Sequence, residues 1–324
     1  METRISVVIP TYRRPRLLVK CLEALHGQTL EEKAFEVIVV SDGPDAATAD
    51  AVARWHAGRA DAKFRFISTS IKKGPAAARN AGWRAAEGQL IAFTDDDCLP
   101  HPEWLETLVH HFGGQPHFAM TGYVQVPIPQ RPTDFEWNTA QLQTAEFVTA
   151  NCCCTKDALT AVGGFDERFG MAWREDSDLQ FKFISCGIPV VHVSNAVVKH
   201  PVRQAPWGIS LKEQKKGLYN ALLYKKYPRL YREKIQKHPA WQYYITVSLF
   251  LALCITLFLG FRTVTEVAFL GWLLCVGGFA WKRLRDKDKS VRHVTEMVFT
   301  SLFIPFLSIY WQCYGAFKYR VLLL

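Results

Sequence analysis

The sequence has 324 residues, of which 49% are hydrophobic and 21% charged, and its net charge is +9 at neutral pH. This length allows one substantial core and leaves residues for a second region. The basic residues concentrate beside long apolar segments, which favours anionic membrane lipids and argues against a nucleic-acid partner. The nine cysteines contain no CxxC pair or zinc-like Cys/His set, so the run Cys152 to Cys154 is interpreted as packing in a reduced protein.

The first 125 residues alternate short β-rich runs with helical patterns. Nearly continuous runs of Val, Ile and Phe predict buried strands over 5–10, 35–40, 64–67 and 89–93. Apolar spacing predicts helices over 17–25 and 75–87, with Pro75 in the first turn of the second. Strands separated by helices indicate a parallel sheet with right-handed crossovers, and ligands of such sheets bind beyond the carboxyl ends of the strands.

An acidic triplet, Asp95-Asp96-Asp97, follows the last of these predicted strands directly. Three neighbouring carboxylates repel one another unless a cation offsets their charge. Hard oxygen ligands suit Mg2+ or Mn2+, held jointly with the phosphates of a substrate. The triplet therefore predicts a metal-diphosphate site, although alone it also fits a solvated acidic loop or a helix cap.

Further along the chain, Glu175 and Asp176 precede a helical pattern that stops at Gly187. Acids at a helix N-terminus either cap the helix and complement its dipole or take part in catalysis. His200 follows the apolar run 190–198, where an imidazole is either a metal ligand or a packed side chain.

After residue 240 the chain consists mostly of apolar segments. Segments 243–261 and 264–281 are long enough to span a bilayer, and 297–317 either spans it as well or lies in the interface. Basic clusters lie at 225–237 and 282–292, and the positive-inside rule places both, with the soluble region, on the cytoplasmic side. We therefore expect a multi-pass protein of the inner cell membrane. Residues 206–240 include an amphipathic pattern that fits an interfacial helix or an ordinary surface helix.

Several motifs, in their order and spacing, resemble those of the family 2 glycosyltransferases. They are Pro10-Thr11-Tyr12-Arg13-Arg14, Ser41-Asp42-Gly43, the segment from Lys73 to Gly82, Asp95-Asp96-Asp97, and Glu175-Asp176. The resemblance runs from about residue 5 to residue 200 and implies the GT-A fold, an α/β sugar-nucleotide domain on a mostly parallel sheet.

The resemblance also implies roles for matching residues. The residues expected to contact the donor are Pro10, Thr11, Tyr12, Arg14, Asp42, Lys73, Arg79, Asp95 and Asp96. For Arg79, a structural salt bridge is the alternative. Asp97 is expected to bind Mn2+ or Mg2+, with Asp95 and His200 as further ligands. Asp176 is the expected catalytic base with Glu175 second, and Trp173 is expected beside the acceptor.

Together these features predict a GT-A catalytic domain over 1–205, an amphipathic segment over 206–240 and a membrane domain of two to three helices over 241–324. The expected function is inverting transfer from a nucleotide-sugar, with UDP as the expected nucleotide, to a lipid-linked acceptor or cell-envelope glycan. A sugar nucleotidyltransferase and an inactive membrane scaffold of the same fold are the alternatives. A nicotinamide-dependent dehydrogenase is excluded, because the loop after the first strand has no glycine.

Overall fold

The apolar runs of the first half of the chain form the centre of one eight-stranded sheet. The computed structural model describes residues 3–57, 59 and 63–322, and its sheet has the order β3-β2-β1-β4-β7-β6-β8-β5. The strands are β1 (Ile5–Thr11), β2 (Phe35–Ser41), β3 (Phe64–Ser68), β4 (Leu90–Phe93), β5 (Leu99–Pro100), β6 (Ala119–Gln125), β7 (Cys152–Thr155) and β8 (Val190–Lys199). The four strands predicted from apolar runs are thus confirmed.

The direction of the strands decides which loops share an edge of the sheet. β1 pairs in parallel with β2 and β4, and β2 with β3. β7 is antiparallel to both β4 and β6, whereas β6 and β8 are parallel. β8 therefore runs in the same direction as β4, and the loops that follow these two strands lie at the same edge.

The helices that accompany this sheet bury one face each. They are α1 (Pro15–His26), α2 (Ala46–His56), α3 (Pro75–Ala85), α4 (Trp104–His111), α6 (Lys156–Val162) and α7 (Glu175–Ser185), and α5 (Asp134–Ala140) lies between β6 and β7 in the chain. α1 and α3 each begin with a proline in the first turn, where its missing amide costs nothing. A core that includes Val8, Ile38 and Phe93 packs against Leu179 and Phe183 of α7. This packing fixes the helix whose first residues are the predicted catalytic acids.

Residues 128–139 and 203–324 form a second compact unit, while 1–127 and 140–202 form the first. The helices after residue 203 are α8 (Ile209–Glu213), α9 (Leu218–Lys226), α10 (Pro228–Lys234), α11 (Trp241–Phe258), α12 (Arg262–Leu284) and α13 (Val291–Tyr319). Among the described residues, α11, α12 and α13 are long and apolar enough to cross a membrane. The amphipathic pattern predicted within residues 206–240 is interrupted by a 3-10 turn over Gln214–Gly217.

The second unit contains a buried ion cluster. The Asp134 carboxylate accepts hydrogen bonds from Arg283 Nη2 at 2.9 Å and Lys287 Nζ at 2.6 Å, and all three side chains are at least 90% buried. Arg283 also donates to the hydroxyl groups of Thr300 and Ser301. Arg283 and Lys287 belong to the basic cluster over 282–292 that was expected to interact with anionic lipid and to set the topology. Both are instead bound by the Asp134 carboxylate inside the unit.

Candidate active site

The acidic triplet lies at the carboxyl end of β4, where a turn follows the strand. The Cys98 amide donates to the Asp95 carbonyl at 3.1 Å, which folds the triplet back on itself. Asp96 and Asp97 are 2% and 7% exposed. Carboxylates this deeply buried require partners, and neighbouring loops supply them.

Four side chains at this edge bring candidate metal ligands together. One donor atom each of Asp95, Asp97, Cys98 and His200 lies within 4.8 Å of the others. His200 Nε2 is 3.5 Å from Asp97 Oδ1. The His200 ring is buried, and its Nδ1 has no hydrogen-bond partner in the part of the chain that the structure describes. This set of oxygen, nitrogen and sulfur donors fits a divalent ion, and it includes the three ligands predicted from the sequence.

Cys98 is the member of this group that the sequence analysis missed. Its thiol is fully buried, and burial raises its pKa well above the ordinary value, as do the nearby Asp95 and Asp97 carboxylates. The sequence feature that could have indicated Cys98 is its position directly after the acidic triplet.

Arg79 connects the triplet to the acids of α7. Its Nη2 donates to Asp95 Oδ1 at 2.7 Å and its Nη1 to Glu175 Oε1 at 3.1 Å, with the arginine side chain 2% exposed. Burial alone would lower the pKa of Arg79, but the charges of Asp95 and Glu175 outweigh it and raise that pKa above its usual value. The structural salt bridge considered for Arg79 is therefore present, and it joins two predicted site residues.

The buried acids of the triplet do not share one ionisation behaviour. Burial raises the pKa of Asp95, but the electrostatic effects of Arg79 and His200 together lower it by more. The pKa of Asp95 therefore lies below its ordinary value. Burial raises the pKa of Asp96 to about 6, despite the opposing charge of Arg14. The Asp95 carboxyl is therefore a stronger acid than that of Asp96 and keeps its negative charge to lower pH.

Glu175 and Asp176 form the first turn of α7, as predicted. Burial raises the pKa of Glu175 to about 7, and the neighbouring Asp176 adds to this effect. Burial also raises the pKa of Asp176, while a hydrogen bond from the Ser177 amide at 2.6 Å opposes the shift. Arg174, just before them, has a left-handed backbone with φ of 73°. Such a conformation in a residue other than glycine is often found at functional sites.

The loop after β1 contacts the triplet through Asp96. Thr11 Oγ1 donates to Asp96 Oδ2 at 2.8 Å, and Arg14 Nη1 donates to Asp96 Oδ1 at 3.0 Å. Pro10 is the second-last residue of the buried strand β1, and Arg13, in the loop after it, has a positive φ of 56°. The structure thus brings two of the predicted donor residues, Thr11 and Arg14, to the triplet, and the donor contacts of Pro10 and Tyr12 stay predictions.

Asp42 holds the loop that precedes α3. Its carboxylate accepts the Lys73 amide at 2.8 Å and the Gly74 amide at 2.9 Å. Both oxygens are engaged by the backbone, and the expected contact of Asp42 with a base or ribose stays a prediction. In the same region Lys72 and Lys73 are both exposed, and Lys72 Nζ lies 4.2 Å from the centre of the Tyr12 ring. Lys72 was not anticipated.

Trp173 lies two residues before Glu175 and is 38% exposed. The Arg174 guanidinium carbon lies 4.5 Å from the centre of its ring. An exposed aromatic face beside the α7 acids is suited to a sugar or another flat apolar surface, and its role toward an acceptor stays a prediction.

Comparisons with known proteins agree with this arrangement. The model described as glycosyl transferase family 2 matches residues 6–159, and the model described as glycosyl transferase family group 2 matches residues 90–282. Glycosyltransferase AglE of Haloferax volcanii is 28% identical over 219 residues, covering 65% of this chain and 70% of the relative. Validoxylamine A glucosyltransferase of Streptomyces hygroscopicus subsp. limoneus is 28% identical over 242 residues, but the chain spans only 51% of its length.

Two solved structures share the fold at low sequence identity. Mannosyltransferase PcManGT from Pyrobaculum calidifontis, in complex with GDP-Man and Mn2+, has a TM-score of 0.56 and 17% identity, over 99% of this chain and 88% of that one. GalNAc-T7 with UDP, GalNAc and Mn2+ has a TM-score of 0.53 and 15% identity, over 70% and 51%. These likenesses support the predicted GT-A fold. Since a family model covers more than half of its length, the chain belongs to the family 2 glycosyltransferases.

Proposed function

We propose that this protein is a metal-dependent, inverting glycosyltransferase that uses a nucleotide-diphosphate sugar. The observation that carries the proposal is the convergence at one sheet edge of Asp95, Asp97 and His200, joined through Arg79 to the acids of α7. Relatives named as glycosyltransferases, and structural neighbours in complex with GDP-Man or UDP and with Mn2+, support it.

Asp97, Asp95 and His200 would hold the divalent ion, Mn2+ or Mg2+. When bound, such an ion neutralises negative charge on the leaving nucleoside diphosphate. The second oxygen of Asp95 is available for this role because Arg79 contacts only Oδ1. Arg79 thereby orients one ligand while its other nitrogen fixes Glu175.

The donor would lie over the loop after β1 and the loop before α3. Tyr12 and Lys72 offer an aromatic face and a cation for the nucleotide, and Arg14 and Lys73 add positive charge near the diphosphate. We propose a UDP-sugar as the first donor to test and a GDP-sugar as the second, since both nucleotides occur in the structural neighbours.

Asp176 is the proposed base. Its carboxylate would take the proton of an acceptor hydroxyl, whose oxygen then attacks the anomeric carbon opposite the diphosphate as the bond to that diphosphate breaks. One direct displacement inverts the anomeric carbon. Glu175 is held against Arg79 at 3.1 Å, and we propose that it positions the pair.

The three apolar helices support a membrane location and, with it, a lipid-linked or cell-envelope glycan acceptor. We propose a catalytic region over 1–205, an interfacial segment over 206–240 and a membrane region over 241–324. Three basic residues near the turn from α12 to α13 are not part of the Asp134 cluster: Arg285 and Lys289 in the turn and Arg292 at the start of α13. They favour a cytoplasmic position for that turn and for the catalytic region.

The reaction products distinguish this proposal from its alternatives. Purified full-length protein would be incubated with UDP- and GDP-sugars, Mn2+ and extracted membrane lipids, and the released nucleotide would be identified. Free nucleoside diphosphate together with a glycosylated lipid is expected. Pyrophosphate release would instead indicate a nucleotidyltransferase, and donor left intact across the panel would contradict the transferase assignment. Asp50→Asn, at an exposed position of α2, is the matched control for acid substitutions.

A further inference from the structure

The candidate metal site contains a sulfur donor that the proposed reaction does not need. Cys98 Sγ lies in the same group as the carboxylates of Asp95 and Asp97 and the imidazole of His200, with all four donor atoms within 4.8 Å of one another. Mg2+ and Mn2+ prefer oxygen ligands, so the thiol adds little to their binding.

Two features show that these donors are held in place. The Cys98 amide is bonded to the Asp95 carbonyl, which sets the turn that carries both side chains, and Cys98 is fully buried. His200 is 8% exposed and its Nδ1 lacks a hydrogen-bond partner among the residues described. The other ring nitrogen, Nε2, is directed at the group and lies 3.5 Å from Asp97 Oδ1. A buried imidazole whose polar atoms are not all satisfied by the protein is suited to binding an ion.

The four donors match the preferences of a different class of ion. Cysteine sulfur, histidine nitrogen and carboxylate oxygen are the ligands of Zn2+, which favours tetrahedral four-coordination. Zn2+ also binds a given set of such ligands more tightly than Mn2+ does. A site in which the protein supplies all four ligands has no open position for a substrate.

We propose that Cys98 gives this site a second binding mode, in which Zn2+ is held by Asp95, Asp97, Cys98 and His200 and the donor diphosphate is excluded. The inference rests on the proposed function for the identity of the excluded ligand, but the four-donor site stands without it. Coordination displaces the thiol proton to solvent, as metal binding to cysteine does in general. Submicromolar zinc would then inhibit an enzyme that Mn2+ supports.

Cobalt is the probe for this site, because it takes the place of zinc and reports its ligands by absorption. The full-length, metal-free protein would be titrated with Co2+ alone. The expected result is a near-ultraviolet sulfur-to-cobalt charge-transfer band together with intense tetrahedral visible bands, both lost when Zn2+ is added. Pale octahedral bands without charge transfer, or no cobalt binding, would overturn the inference.

Variants identify the sulfur. Cys98→Ala is expected to lose the charge-transfer band and to weaken Zn2+ binding by at least about 100-fold, since even indirect partners of ligands change affinity by ~10–100-fold. Cys153→Ser replaces an equally buried thiol on β7, outside the donor group, and is expected to keep the band. A band that survives in Cys98→Ala would also overturn the assignment. If Cys98→Ala fails to fold, Cys98→Ser takes its place, because it keeps the size of the side chain and is likewise expected to lose the sulfur-to-cobalt band.

The two proposals fail separately. Transfer from a nucleotide-sugar with Mn2+ but no charge-transfer band would remove the zinc mode and leave the proposed function intact. A charge-transfer band without any transfer would keep the metal site and remove the proposed function.

Discussion

At the scale of single residues, one buried guanidinium serves two carboxylates with different tasks. Arg79 is 2.7 Å from Asp95 and 3.1 Å from Glu175. The pKa of Asp95 lies below its ordinary value, whereas that of Glu175 is raised to about 7. Groups whose pKa values are pushed apart in this way commonly take different roles in a reaction. Here the lowered pKa belongs to Asp95, a candidate metal ligand, and the raised pKa to Glu175, the neighbour of the proposed base Asp176.

Replacing the proposed base should separate binding from chemistry. Asp176→Asn keeps the size of the side chain but cannot accept the acceptor proton, so transfer should fall by about 10²–10⁴-fold. Donor affinity, measured by calorimetry with Mn2+ present, should stay within about threefold of wild type. Near-normal transfer by this variant would remove Asp176 as the base.

The raised pKa values also predict a pH dependence. Burial raises the pKa of Glu175 to about 7 and that of Asp176 above its ordinary value, and the two titrate as a pair. Transfer needs the ionised carboxylate, so kcat/KM should rise with pH toward a plateau above about 7 and fall as the pH drops below it. A profile that is flat between about pH 5.5 and 8 would be inconsistent with this assignment.

At the scale of elements, the loop before α3 depends on the absence of a side chain at Gly74. This residue has φ of +111°, and an added Cβ would lie 2.6 Å from the Gly170 carbonyl oxygen. Gly163 also has a positive φ, of +71°, but an added Cβ would meet nothing within 4 Å. Gly74 (φ 111°, ψ 167°) is also in a backbone region that essentially only glycine adopts, whereas Gly163 (φ 71°, ψ 22°) is in the left-handed helical region. Substitution at Gly74 therefore adds a clash and a larger backbone strain than substitution at Gly163.

Gly74→Ala should destabilise the protein more than Gly163→Ala does. The second substitution adds only left-handed strain, about 1 kcal/mol, and the first adds a clash with backbone atoms and disturbs the amides that hold Asp42. Thermal unfolding of the detergent-solubilised chain should show a melting temperature several degrees lower for Gly74→Ala, at roughly 2–4 °C per kcal/mol. Equal melting temperatures would show that the loop accommodates the added methyl group at no cost and would contradict this prediction.

Much of the sheet could be predicted from the sequence, because a strand buried on both faces leaves a continuous apolar run. β1 and β2 are buried at every position and were predicted within one residue. The reversed direction of β7 and the pairing of the two-residue β5 with β8 could not be predicted, since strand direction depends on distant partners. The break at Gln214–Gly217 also escaped prediction, because its residues continue the helical pattern.

At the scale of the whole molecule, the chain passes between its two compact units at three places, after Pro127, Thr139 and Val202. The predicted catalytic domain over 1–205 includes residues 128–139, yet they group with the second unit. Asp134 stands two residues from Glu136 in a mixed polar and aromatic stretch, and nothing in that stretch indicates partners 149 and 153 residues away. The sequence also predicted three of the four candidate metal ligands and not the thiol of Cys98, although Cys98 directly follows the acidic triplet.

The Asp134 cluster should be essential to the second unit. Asp134→Asn leaves Arg283 and Lys287 buried without a counter-charge, and breaking a buried pair in this way costs about 3–5 kcal/mol. Asp286→Asn, whose side chain is 88% exposed, is the control and should change stability by less than about 0.5 kcal/mol. Thermal unfolding in detergent checks both, and an Asp134→Asn protein as stable as the control would contradict a structural role for the cluster.

The most direct test of the central claim is the binding of a nucleoside diphosphate to the purified full-length protein, with and without a divalent ion. Calorimetric titration with UDP and GDP should show binding in Mn2+ that is lost in EDTA. Asp97→Ala should weaken this binding by at least about tenfold, because the variant loses a direct metal ligand, while Asp50→Asn should match wild type. If neither nucleotide binds, whether or not Mn2+ or Mg2+ is present, the metal-diphosphate account of this site is wrong.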